Sequence, residues 1–309
     1  MSTTAYVAED ELRRVERLGR PAWTGPPGAR IAWRRFGPAR TTPVVLLHGG
    51  SGSWLHWIRN VETLARDHDV LAPDTPGLGD SDPPLGGFDP EDLLGSVRRL
   101  ARALALGLDA LVGERPVHLV GFSMGGVVGG HLAAMAPERV RAFTLVGGAA
   151  LGVGWSGLPG RLRATTPGMP LAKRLDAQRH NLGVLMLRDP EAASPLGEWI
   201  QLRNLERARI RTHALGASDV LARALPSVRA PIDAIWGEHD VYLQPDPSAS
   251  ARALRTAHPE ATVHHVSEAG HWVMFERAAR FDALLAAILE RRGTTRGDSA
   301  VEERGPEQA

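Results

Sequence analysis

The chain has 309 residues, 43% of them hydrophobic, with 36 basic and 35 acidic side chains for a net charge of +1, and no cysteine. That length suits two average domains, or one α/β domain carrying an insertion. Near-neutral charge argues against an electrostatic nucleic-acid or membrane binder; the lack of cysteine excludes disulfides, thiolate catalysis and cysteine-held metal; and no apolar run approaches the roughly 18 residues that span a bilayer.

In chain order, Met1 to Arg20 is charged and lacks a signal-peptide apolar region, so a cytoplasmic protein is expected. The excess of Arg over Lys, with abundant Ala and Gly, suggests a GC-rich bacterial source. Arg30–Phe36 alternates like a half-buried antiparallel strand. Short apolar runs follow at 44–47, 70–72, 117–120, 142–146, 232–236 and 262–266. Helical patterns lie between most of them: Trp57–Ala65, Pro90–Leu106, Ser123–Ala136, Ser248–His258 and Trp272–Arg292. Such alternation predicts an α/β fold with a mostly parallel sheet covered on both faces. The alternation breaks from about Ala149 to Arg229, where only helical pieces such as Pro170–Asn181 and Glu198–Ala214 are read. The expected organisation is a core of 1–148 and 230–292, with 149–229 as a helical cap inserted between two core strands. The tail, 293–309, is polar and without periodicity, and is expected to be disordered.

The most informative motif is Gly121-Phe122-Ser123-Met124-Gly125, set between an apolar strand pattern and a Gly- and Ala-rich helix pattern. Strand, Gly-x-Ser-x-Gly, helix describes a sharp turn that lifts the serine hydroxyl above the sheet edge. The flanking glycines are needed because a Cβ there would clash. Chemistry in open α/β sheets collects beyond the carboxyl ends of the strands. Asp240, in Gly237-Glu238-His239-Asp240, and His271, in Gly270-His271-Trp272, occupy such ends. A serine hydroxyl needs a base to take its proton. Of the 12 histidines, His271 alone has a glycine before it and a helix after it in the required order. Asp240 is then the carboxylate that orients the imidazole. Glu238 and Asp74 compete for that role, although Asp74 suits a brace for the Pro76-Gly77 turn. The backbone N–H groups of Gly50 and Met124 are the candidate oxyanion donors. His48 reads as a buttress for the His48-Gly49-Gly50 loop, which lacks the Gly-Lys-Ser/Thr ending of a phosphate loop.

Together, Val44–Gly50, Asp74-x-Pro76-Gly77-x-Gly79-x-Ser81, Gly121–Gly125, Gly237–Asp240 and Gly270-His271-Trp272 resemble the α/β-hydrolase superfamily over 30–150 and 228–292. Gly-x-Ser-Met-Gly-Gly with Gly-His-Trp is similar to the branch holding the meta-cleavage-product C–C hydrolases and many esterases. The resemblance implies an α/β-hydrolase fold and a Ser123-Asp240-His271 triad. Two positions depart from the C–C hydrolases, which carry Asn before the nucleophile and Asn a little past the oxyanion loop. Here Phe122 and His56 stand there. The candidate substrate contacts are Phe122, His56, Trp272 and Arg203.

Leu151 to Ala230 holds 12 basic and 6 acidic residues, and Arg203, Arg207 and Arg211 share one helix face. That stripe is either a carboxylate attractor or a solvated surface. Trp155, Met169, Leu185, Met186 and Trp199 either line an apolar pocket or form the cap's own core. The expected activity is serine hydrolysis of a small ester or related acyl compound through an acyl-enzyme, with no metal or organic cofactor and a small molecule as the partner. The alternatives are C–C hydrolysis of a dienoate, cofactor-free perhydrolysis, and a non-catalytic ligand receptor on the same fold. The sequence does not set the oligomeric state, and a homodimer remains open.

Overall fold

The apolar runs become strands of one eight-stranded sheet in a computed structural model that describes residues 3–39, 42–155 and 157–293. In chain order these are β1 (Arg20–Thr24), β2 (Ile31–Phe36), β3 (Val44–Leu47), β4 (Val70–Pro73), β5 (Val117–Phe122), β6 (Val140–Val146), β7 (Ile232–Gly237) and β8 (Thr262–Val266). Their spatial order is β1-β2-β4-β3-β5-β6-β7-β8. β2 runs antiparallel to both β1 and β4, and every other pairing is parallel. β3, β4, β5 and β7 are buried along their whole length, as expected for parallel strands covered on both faces.

Ten α-helices accompany them among the described residues: α1 (Thr3–Leu18), α2 (Val61–Leu64), α3 (Leu93–Val112), α4 (Met124–Met135), α5 (Leu171–Leu185), α6 (Ser194–Arg207), α7 (Val220–Ala224), α8 (Pro247–Ala257), α9 (Val273–Glu276) and α10 (Ala278–Arg291). The period-2 alternation of the strands divides the core. Val45 and Leu47 pack with α3 and α4 through Val97, Leu100, Leu104 and Val127. Val44 and Leu46 pack on the other face with Leu12 of α1 and Phe281 and Leu285 of α10.

Three local outcomes differ from the sequence reading. In sequence, Met1 to Arg20 is only a charged stretch. It holds α1, whose Ala8, Leu12 and Val15 are buried, and it leads into the edge strand β1. The helix expected over Trp57–Ala65 is a tight turn at Trp54–Trp57 followed by the single turn of α2. The helix expected over Trp272–Arg292 breaks at Arg277, where φ is −126° and ψ is 48°, giving α9 and α10. Between β6 and β7 the described residues form no strand, only α5, α6, α7 and short turns. Apart from Gly293, the tail expected to be disordered lies outside the described residues. Among the described residues no helix is long and apolar enough to cross a membrane.

Candidate active site

Ser123 stands between β5 and α4 with φ +51° and ψ −118°, a conformation that costs a non-glycine residue energy. The surroundings hold it there. Its N–H donates to Val146 O at 2.8 Å, and its carbonyl accepts from Gly126 N–H at 2.8 Å. A Cβ on Gly121 would lie 2.6 Å from Gly125 O, and one on Gly125 would lie 2.3 Å from Leu47 O. Both glycines are therefore sterically required. Phe122 and Met124 are buried while Ser123 is only partly so.

His271 lies in the loop between β8 and α9, and its Nδ1 is 2.8 Å from Asp240 Oδ2. Both side chains are buried. The other oxygen of Asp240, Oδ1, accepts from Tyr242 N–H at 2.9 Å. A buried carboxylate facing Nδ1 keeps a proton on that nitrogen and leaves Nε2 as the acceptor. The competing carboxylates are placed differently. Glu238 is exposed. Both oxygens of Asp74 are occupied, by Trp54 N–H at 2.8 Å and Asp80 N–H at 2.8 Å. Burial pushes the Asp74 carboxyl up to about 6, against those two bonds.

Two further groups hold His271 in place. The Tyr242 ring lies 4.4 Å from the His271 ring and stacks on Trp155 at 5.3 Å. Burial pushes its phenol up to about 12, so it stays neutral. The buried Glu276 accepts from Gly270 N–H at 2.7 Å, directly before His271. It also accepts from Asp189 N–H at 2.9 Å and Arg188 N–H at 3.2 Å, in the turn after α5.

The loop after β3 borders the same cavity as Ser123. His48 Nδ1–H donates to Gly49 O at 2.8 Å and its Nε2 accepts from Thr75 N–H at 2.9 Å, so the ring braces the loop. Burial pushes His48 down to about 4 and keeps it neutral. A Cβ on Gly50 would lie 3.9 Å from the Cβ of Met124, which brings the two candidate oxyanion donors together. Met124 is the first residue of α4, so its N–H has no partner within the helix.

These residues border a cavity of about 480 Å³ lined by Gly50, Ser123, Met124 and His271 on the core side. Trp155, Leu185, Met186, Gln201, Leu205 and Thr212 line it from the segment between β6 and β7. No Lys, Arg, Asp or Glu lies among the described lining residues. Of the candidate substrate contacts, Phe122 and His56 line the cavity. His56 Nδ1 accepts from Gly49 N–H at 3.2 Å. Trp272 and Arg203 do not line it. Trp272 is fully buried and its Nε1–H donates to His56 O at 2.9 Å. Arg203 reaches Glu16 of α1 at 3.7 Å, and Arg207 on the same face pairs with Asp80. Arg211 lies beyond the end of α6, so the expected three-arginine face is cut to Arg203 and Arg207, which tie α6 to α1 and to Asp80, while Gln201 and Leu205 of α6 line the cavity. Met169 and Trp199 are likewise outside the lining. Sequence reasoning missed Thr212, Gln201, Tyr242 and Glu276. Only Tyr242 carried a signal, its position two residues after the candidate acid. Among the described residues no cluster of His, Asp or Glu is arranged to hold a metal.

Residues 42–187 match the α/β-hydrolase fold family. The chain is 29% identical over 272 residues to the dihydrolipoyllysine-residue acetyltransferase component of the acetoin cleaving system of Pseudomonas putida, covering 85% of this chain and 68% of that protein. It is 31% identical over 271 residues to the 2-hydroxy-6-oxononadienedioate/2-hydroxy-6-oxononatrienedioate hydrolase of Burkholderia vietnamiensis, covering 80% of this chain and 87% of that enzyme. The fold is similar to the crystal structure of the meta-cleavage product hydrolase CumD, with a TM-score of 0.68 at 22% identity over 89% of this chain and 98% of that one. The sheet order, the strained serine turn and these similarities converge: the chain belongs to the α/β-hydrolase family and is a hydrolase of that fold.

Proposed function

We propose that the chain is a serine hydrolase that cleaves an uncharged ester with a largely apolar acyl group. The observation that carries this reading is the absence of any Lys, Arg, Asp or Glu among the described residues lining the cavity beside Ser123 and His271. Burying a carboxylate there without a cation would be costly. An uncharged acyl group meets Phe122, Met124, Leu185 and Met186 instead.

In this reading Ser123 Oγ attacks the ester carbonyl while His271 Nε2 takes its proton. The carbonyl π pair moves onto oxygen, where the N–H groups of Gly50 and Met124 stabilise it. Collapse breaks the bond to the alcohol oxygen, which leaves with the proton from His271. Water, deprotonated by His271, then releases the acid and frees Ser123.

A second reading, C–C hydrolysis of a dienoate, is supported by the 31% identity to the nonadienedioate hydrolase. That substrate class carries carboxylates, for which the described lining offers no Lys or Arg. Comparing kcat/KM for p-nitrophenyl butyrate and for a meta-cleavage dienoate separates the two. The ester is expected to win by at least about tenfold, a difference of about 1.4 kcal/mol in transition-state binding. A tenfold preference for the dienoate would replace the ester reading with the C–C one. Ser123→Ala should remove either activity, and a fluorophosphonate should label Ser123 in the unaltered protein.

A further inference from the structure

Thr212 lies between α6 and α7, where the chain returns toward the sheet. It opens the tight turn His213–Leu215, and its carbonyl accepts from Leu215 N–H at 3.0 Å. A threonine in such a position commonly turns its hydroxyl back onto an N–H of the turn it opens. Ser53 and Asp240 do so at the starts of their own tight turns, accepting from Leu55 N–H at 3.3 Å and Tyr242 N–H at 2.9 Å. Thr212 makes no such bond.

Its hydroxyl is committed to the cavity instead. The residue is only 6% exposed and lines the space beside Ser123 and His271. A Cβ built on Gly50 would come within 2.6 Å of Thr212 Oγ1 and within 3.9 Å of Met124 Cβ. Gly50, Met124 and the Thr212 hydroxyl therefore border one point. Among the described residues no hydrogen-bond partner satisfies that hydroxyl. The hydroxyl opens onto the cavity and is free to donate to a group bound there.

We propose that Thr212 Oγ–H is a third donor to the substrate carbonyl oxygen, binding it most strongly once that oxygen is negative. The proposal rests on the serine-hydrolase reading. Thr212 loses no proton in it. The Ser123 Oγ–carbon bond forms, the π pair moves onto oxygen, and the Ser123 proton goes to His271, while Thr212 only donates a hydrogen bond. Because Thr212 belongs to the segment between β6 and β7, the donor set is complete only with that segment seated over the sheet.

The test compares Thr212→Val, which keeps the shape, with Thr212→Ser, which restores a hydroxyl. Three quantities are read: hydrolysis of p-nitrophenyl butyrate, inhibition by an alkyl trifluoromethyl ketone, and inhibition by the unreactive methyl ketone of the same chain. The fluorinated ketone adds Ser123 and presents a hemiketal oxyanion; the methyl ketone presents only a neutral carbonyl. Thr212→Val should lower kcat by about tenfold or more with KM nearly unchanged, as for loss of an oxyanion donor. It should weaken the fluorinated ketone by a similar factor and leave the methyl ketone unaffected, and Thr212→Ser should recover most of both losses. If Thr212→Val keeps kcat and the fluorinated-ketone inhibition within about twofold while Ser123 still reacts with a fluorophosphonate, the third donor is refuted and the hydrolase reading stands. A loss confined to KM and thermal stability, unrescued by serine, makes Thr212 a packing residue and also refutes the proposal. If the unaltered protein neither labels at Ser123 nor turns over the ester, the hydrolase reading falls and takes this proposal with it.

Discussion

Replacing Asp240 with asparagine tests the proposed roles of His271 as base and Asp240 as its orienting partner together. The two oxygens of Asp240 face different donors: Oδ1 takes the Tyr242 N–H at 2.9 Å and Oδ2 faces His271 Nδ1 at 2.8 Å. An amide has one oxygen and one NH₂. The Tyr242 N–H is a fixed donor, so the amide oxygen must face it and the NH₂ must face His271. Nδ1 then has to accept, which moves the imidazole proton to Nε2 and removes the base from Ser123. A wrong tautomer of this kind lowers kcat by about 10⁴, or about 5.4 kcal/mol of barrier. Stability should change little, since the bond to Tyr242 survives and the side-chain volume is kept. The assay is kcat for p-nitrophenyl butyrate beside urea unfolding of the same preparations, with Glu238→Gln as a control expected to stay within about twofold of the unaltered protein. Retention of more than a tenth of kcat in Asp240→Asn would refute the tautomer argument. So would a loss matched by an equal loss in Glu238→Gln.

Two further outcomes follow from the same geometry. Gly125→Ala places a Cβ 2.3 Å from the Leu47 carbonyl, a rigid backbone atom, so stability should fall by more than about 2 kcal/mol and soluble yield with it; an unchanged urea midpoint would show that the elbow relaxes freely. His118 is fully buried on β5 with Nε2 2.8 Å from Thr144 Oγ1, and burial pushes it down to about 3. Between about pH 3 and 6.5 the unfolded chain therefore binds a proton there that the folded one does not. This contribution is fully present above pH 6.5 and is lost on acidification at up to about 1.4 kcal/mol per pH unit. His118→Gln should flatten the fall in stability between pH 6.5 and 4.5 by about 2–3 kcal/mol, and parallel curves for the two proteins would overturn the assignment.

The parts of the molecule legible in the sequence are those fixed by local sterics and period. Gly121 and Gly125 announce the elbow because the turn leaves no room for a Cβ, and the parallel strands announce themselves as short apolar runs. What escaped depends on distant partners. Among the described side chains of α1 the buried apolar ones are Ala8, Leu12 and Val15, set among many charged residues, and they gain meaning from the sheet face they cover. β1 carries Pro21 and is largely exposed, as an edge strand can be, and it becomes a strand only by pairing with β2. The arginine stripe of α6 was visible as a stripe. Its direction was not, because the acids that claim it, Glu16 and Asp80, sit on other elements. Thr212 carries no local signal at all, since its place beside Gly50 is set by how the segment between β6 and β7 returns to the sheet.

The carboxylate of Glu276 has a mechanical meaning for how the cavity is held. It accepts N–H groups from both sides of a seam, Gly270 on one bank and Arg188 and Asp189 on the other. Trp272 N–H adds a bond to Met186 O at 2.8 Å across the same seam. Prying the banks apart would strand these groups at about 1–3 kcal/mol for each one left unsatisfied. The seam therefore behaves as a closed hinge post. The stretch from Leu158 to Leu162, on the cavity rim, is fastened differently. The bonds there and at neighbouring Arg163 run to His180, Asn181 and Asp176, all within the same segment. Leu158 and Leu162 are 36% and 46% exposed. Leu158 and Leu162 therefore wall the cavity from a stretch held by its own segment, whereas the side of the cavity nearer Glu276 is held across to the core.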